Sequence, residues 1–115
     1  MSHFVALIVE NDTLQREAIA DLLKGRGLEV VECTTAEAAE LVLAAVGREL
    51  LVLVTDVNLD GRMTGTELAE YAKDQYPWLK VIVISGAARP ELPENTCFLQ
   101  KPYDSADLLD AVLRE

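Results

Sequence analysis

Apolar runs and helical stripes alternate along this chain. Leu50–Thr55 is almost wholly apolar, and Asp56, Asn58, Asp60 and Gly61 follow it at once. A continuous apolar run bounded by turn residues predicts a strand buried on both faces, as in a parallel sheet. Phe4–Val9 and Val81–Ile84 have the same character and predict two further inner strands. Leu28–Glu32 is short and carries Glu29 and Glu32, which suits an edge strand, and Thr96–Leu99 reads as another.

The segments between these runs have helical spacing. Asp12 with Gln15 predicts a capped start for a helix over Thr13–Lys24, with Leu14, Ala18, Ile19, Leu22 and Leu23 as its stripe and Gly25 and Gly27 as its end. Thr34 with Glu37 predicts the next start, with Ala38, Leu41, Val42, Ala45 and Val46 as the apolar positions and Gly47 closing. Thr64 with Glu67 opens a third helix carrying Leu68 and Ala72, which runs to about Gln75 before Pro77. Asp104 or Ser105 caps a last helix with Leu108, Leu109, Val112 and Leu113. Ala87–Asn95 holds Pro90 and Pro93 and shows little periodicity. A proline inside a helix costs about 3 kcal/mol and removes a backbone donor, so a loop or at most one turn is expected there. That would leave the edge beside strand five open.

Strands alternating with helices imply parallel pairing through right-handed crossovers. With strands one, three and four at the centre, the expected fold is α/β: a doubly wound five-stranded parallel sheet in the order 2-1-3-4-5. Its switch point lies between strands one and three. Residues 1–115 are expected to form one domain with no output domain.

Composition narrows the function. Net charge is −10, which disfavours direct DNA binding, since phosphate contacts need clustered Lys and Arg. No apolar run approaches the roughly 20 residues of a membrane span, and the start lacks a signal-peptide pattern, so a cytoplasmic protein is expected. Cys33 and Cys97 lack metal-ligand spacing and read as reduced thiols. His3, the only histidine, lies at the N-terminus, a poor place for a catalytic group.

In such sheets chemistry sits just beyond the carboxyl ends of the strands. Strand one is followed by Glu10, Asn11 and Asp12; strand three ends at Asp56, with Asn58 beyond; strand four is followed by Ser85, and strand five by Lys101. Carboxylate and carbonyl oxygens suit a hard cation such as Mg²⁺. An aspartate nucleophile, a cation, a lysine and a hydroxyl are the parts needed to receive a phosphoryl group. Taken singly, each residue has an ordinary explanation: Glu10 and Asp12 as helix-start acids, Ser85 as a turn residue, Lys101 as surface, Phe98 as core. Their shared rim is what those explanations leave out.

Through LIVEND, LVTD, VIVISG and FLQKP, in order and spanning essentially the whole chain, the sequence resembles the receiver domains of two-component response regulators. The resemblance implies that Asp56 is the phosphoacceptor. Glu10 and Asn11 stand at the acidic-pair positions, and Asp56 and the Asn58 backbone carbonyl complete the Mg²⁺ ligands. Ser85 is the switch hydroxyl, Phe98 the aromatic that turns with it, and Lys101 the partner of the phosphoryl oxygens. It implies a sensor histidine kinase or histidine phosphotransfer protein as donor and a downstream protein as target. It makes the chain a signalling module rather than a classical enzyme, with self-phosphorylation from a small donor and slow autodephosphorylation expected. Asn11 departs from the family pattern by replacing a carboxylate with a neutral amide. The loop after Asp56 is one residue longer than the commonest pattern of that family, and Ser85 to Lys101 is short by more than a helical turn. Two other readings compete. A pseudo-receiver would keep the fold and lose phosphorylation, and Asn11 is the one feature in its favour. A haloacid dehalogenase-like phosphohydrolase would want an acid where Asn58 stands.

Overall fold

The computed structural model describes residues 5–114; His3 and the expected first residue of strand one, Phe4, lie outside the described residues. Five strands, β1 (Val5–Val9), β2 (Glu29–Cys33), β3 (Leu50–Asp56), β4 (Lys80–Ser85) and β5 (Thr96–Gln100), form one sheet in the order β2-β1-β3-β4-β5. Every pairing is parallel. The helices are α1 (Thr13–Lys24), α2 (Ala36–Val46), α3 (Gly65–Gln75) and α4 (Ser105–Leu113), with a short 3-10 turn at Gly47–Glu49.

Side chains along a strand alternate between faces, and the two cores follow that alternation. Leu7, Val9, Leu53, Val81 and Val83 pack under α2 and α3 with Leu43, Leu68 and Ala72. Ala6, Ile8, Val52, Val54, Ile82 and Ile84 pack under α1 and α4 with Ile19, Leu23, Leu108 and Val112. Truncating one such fully buried leucine to alanine costs about 2–5 kcal/mol, so these two layers hold the rim of the sheet in place.

Three helix starts behave as their side chains demand. Asp12 accepts from Gln15 N, and Thr64 and Glu67 form a reciprocal capping box. The second helix starts one residue later than expected: Thr35, not Thr34, accepts from Ala38 N. Both residues are threonines, but it is Thr35 that stands in extended backbone at the N-cap, where its hydroxyl meets the N–H of the third helical residue. Asp104 stands at the N-cap of α4 without a side-chain capping bond.

The helical faces depart further from expectation. In α1 the buried positions are Ile19, Ala20 and Leu23, whereas Leu14 is 78% exposed. In α2 they are Ala36, Ala39 and Leu43, whereas Leu41 is 74% exposed. Alanines surround α2 on most sides, so a stripe of larger apolar residues does not mark its packed face. Alanine lets the helix approach the sheet closely, which buries the alanine side. In α4 Leu108 and Val112 are buried and Leu113 is exposed.

Between β4 and β5 the chain has neither helix nor strand: 86–95 is an irregular segment of bends and turns. Leu92 in this segment packs on the α2–α3 side of the sheet, as does Phe98. Pro90 and Pro93 give the physical reason for the missing helix.

Candidate functional site

The registers align the carboxyl ends of the inner strands. Val9 pairs with Thr55, Asp56 with Ile84, and Ser85 with Gln100. Backbone bonds continue the alignment one residue further: Glu10 N donates to Cys33 O, Val57 N to Ile84 O, and Lys101 N to Ser85 O. Glu10, Asp56, Ser85 and Lys101 therefore stand along one rim, at the switch point where β1 and β3 lie side by side.

Lys101 closes the group. Its Nζ lies 2.7 Å from Asp56 Oδ2 and 3.3 Å from Glu10 Oε1. Both carboxylates are buried, with Glu10 2% and Asp56 7% exposed. Burial pushes the Glu10 carboxyl up, and the adjacent Asp56 adds to that, while the Asp12 N–H on Glu10 Oε2 works against it. Burial alone would lower the Lys101 ammonium, but its bonds to Asp56 and Glu10 outweigh this and raise it. Burial likewise raises the nearby Tyr103 hydroxyl. Two buried carboxylates share one ammonium, so the pocket is short of one positive charge.

The remaining residues surround this pair. Asn58 N donates to Asp56 Oδ1 at 3.3 Å. The Asn11 amide has two orientations. One donates to Glu10 Oε2 and to the Asn58 carbonyl, each at 3.1 Å; the other points at Asp60 Oδ1, 3.5 Å away. Ser85 is buried, and its Oγ accepts from Ala87 N at 3.0 Å rather than reaching Asp56. Phe98 lies half-buried against the core below the rim and takes no part in the cluster. Gly65 lets α3 start hard against β3: a Cβ there would lie 1.7 Å from the Asp56 carbonyl oxygen.

Mg²⁺ fits this donor set. With its nitrogen toward Asp60 the Asn11 amide turns its oxygen inward, and Glu10, Asp56, Asn11 and the Asn58 carbonyl then offer only oxygens to a hard cation, which would relieve the charge deficit. Among the described residues no third Asp, Glu, His or Cys completes a metal-binding cluster, so two of the four donors are neutral.

Two contributors escaped the sequence reading. Arg16 donates to the Glu10 carbonyl at 3.0 Å and pairs with Glu32 at 3.3 Å, tying α1 and β2 to the first acid. Glu37 does not complete a capping box with Thr34; beyond its own N–H it reaches the loop after β3, accepting from Arg62 N and Met63 N. Its spacing from Thr34 imitates a capping box, and nothing local marks the longer reach.

Fold and rim together define a response-regulator class of protein, and comparison with known proteins agrees. The family model described as response regulator receiver domain matches residues 6–113, and the chain belongs to that family. Receiver domains are signalling modules of two-component systems, not classical enzymes. Among curated relatives, the response regulator protein FleR of Pseudomonas aeruginosa is 36% identical, covering 94% of this chain and 24% of that protein. The transcriptional regulatory protein FixJ of Azorhizobium caulinodans is 32% identical, covering 91% of this chain and 51% of that protein. The chain thus spans about a quarter to a half of these two relatives. Among solved structures, the receiver domain of the hybrid histidine kinase CckA superposes with a TM-score of 0.79 at 30% identity, covering 94% of each chain. No helix among the described residues is long and apolar enough to cross a membrane.

Proposed function

We propose that this receiver accepts a phosphoryl group on Asp56 from a phosphohistidine of a sensor kinase or phosphotransfer protein, and signals by protein–protein contact. The observation that carries this reading is Lys101 Nζ bridging Asp56 and Glu10 at the switch-point rim. An Asp56 carboxylate oxygen attacks phosphorus in line. The O–P bond forms as the P–N bond breaks, and the imidazole keeps the electron pair. Lys101 then faces the phosphoryl oxygens it was placed beside. The Asn58 N–H holds the carboxylate in orientation. The Ser85 oxygen already accepts from Ala87 N, so its proton remains for a phosphoryl oxygen. Phe98, half-buried next to this strand end, is the aromatic proposed to move with Ser85. Mg²⁺, held by Glu10, Asn11, Asp56 and the Asn58 carbonyl, would supply charge neutralisation for the transferred group.

Incubation with a small phosphodonor and Mg²⁺, followed by intact mass measurement, tests the reading. One phosphoryl group is expected on the unsubstituted chain and none on Asp56→Asn. Uptake by Asp56→Asn at the same rate would refute the site. No uptake by either would favour a pseudo-receiver, the reading that Asn11 supports.

A further inference from the structure

The loop from Val57 to Thr64 carries the Asn58 carbonyl and has no helix or strand of its own beyond a single bridge residue. The start of α2 holds it. Thr35 forms an isolated parallel bridge with Asp60. Glu37 Oε2 accepts from Arg62 N at 2.9 Å and from Met63 N at 3.0 Å. Gly61, at φ 96°, brings its backbone so close to the same carboxylate that a Cβ would lie 2.6 Å from Glu37 Oε1. Successive N–H groups make an anion-binding concavity, and here the chain's own carboxylate fills it. Charge-assisted bonds of this kind are roughly twice as strong as neutral ones.

These bonds do little for α2 itself. Thr35 already caps the helix through Ala38 N, and Glu37 belongs to neither apolar cluster. Its amide partners lie 25 and 26 residues away, in the loop. The same hold keeps Asp60 beside Asn11, 3.5 Å from the amide.

We propose that Glu37 is a positioning residue for the cation: by gripping Arg62 and Met63 it fixes the loop that presents the Asn58 carbonyl, and so sets the affinity for Mg²⁺. This rests on the metal reading above. Groups that orient metal ligands from behind are worth about 10–100-fold in metal affinity.

The test is direct Mg²⁺ binding by calorimetry, checked by Mn²⁺ paramagnetic resonance, on the unphosphorylated chain. Glu37→Leu is expected to weaken binding about tenfold or more. Glu37→Gln keeps an acceptor oxygen in place and is expected to stay close to the unsubstituted chain. Gly61→Ala disturbs the same grip from the loop side and gives a second variant should Glu37→Leu fail to fold; it is expected to weaken binding as well. Tyr76→Phe removes the hydroxyl bond to Leu43 O at the far end of α2 and is expected to leave Mg²⁺ affinity unchanged. Unaltered affinity in folded Glu37→Leu or Gly61→Ala would overturn the assignment. Equal weakening in Tyr76→Phe would overturn it too, because general loosening of α2 would then suffice. No Mg²⁺ binding by the unsubstituted chain would overturn the metal reading itself, a separate result.

Discussion

Replacing Lys101 with methionine keeps an apolar stem and removes the ammonium. What remains is a pair of carboxylates, Glu10 and Asp56, whose side chains are 3% and 9% exposed. Breaking a fully buried ion pair from one side costs about 3–5 kcal/mol, whereas an exposed pair is worth about 0–1 kcal/mol. Lys101 itself is 26% exposed, so its charge is partly screened. The expected loss lies between those limits, at about 2 kcal/mol. With a urea dependence of about 2 kcal/mol/M for a small domain, the unfolding midpoint should fall by about 1 M. Saturating Mg²⁺ should narrow that gap, because a bound cation takes over the work of separating the two carboxylates. Far-UV circular dichroism in urea, with and without Mg²⁺, measures both effects. An unchanged midpoint without Mg²⁺ would refute the charge argument. An equal gap with and without Mg²⁺ would show that the metal does not meet these carboxylates.

Asn11→Asp adds a carboxylate beside the proposed cation, and ligand charge tunes affinity; Mg²⁺ binding is expected to tighten about tenfold, or ~1.4 kcal/mol. Calorimetry showing unchanged or weaker binding in a folded variant would place residue 11 away from the metal. Glu37 carries a pH signature: its own N–H and those of Arg62 and Met63 hold its carboxyl below the ordinary 4.5. A depressed carboxyl contributes stability above its unfolded value, and that stability is lost as pH falls through the folded value. The urea midpoint of the unsubstituted chain should therefore drop more steeply below that ordinary value than the midpoint of Glu37→Gln, and parallel acid curves would refute this.

Much of the architecture was legible because strand burial is written into composition. Apolar runs such as Leu50–Thr55 and Val81–Ile84 have nowhere to lie but the centre of a parallel sheet, and their order followed. The Thr64–Glu67 cap was equally local and equally readable. The meeting of Glu10, Asp56 and Lys101 was foreseeable because strand ends are landmarks, and each residue abuts one. Helix faces were harder. Leu14 and Leu41 are large and apolar yet exposed, while Ala36 and Ala39 are buried, since close approach to the sheet favours the smaller side chain. Contacts made across the fold were not readable at all. Glu37 on Arg62 and Arg16 on the Glu10 carbonyl depend on which loops the topology brings together. The Ser85 hydroxyl turns toward Ala87, a choice that sequence pattern does not register.

The strand order has a consequence for how the chain assembles. Parallel neighbours cannot be closed by tight hairpins, so each pairing waits for a crossover to fold back. In the order β2-β1-β3-β4-β5, β1 and β2 are neighbours that can pair as soon as both have been made. Beyond them β3 lies on the free side of β1, β4 on the free side of β3, and β5 on the free side of β4. Each new strand lands on an open edge, and none has to wedge between two strands already joined. The sheet can grow in the direction of synthesis, from the N-terminal end outward. The rim would be complete only when the last strand delivers its lysine to two carboxylates already waiting there.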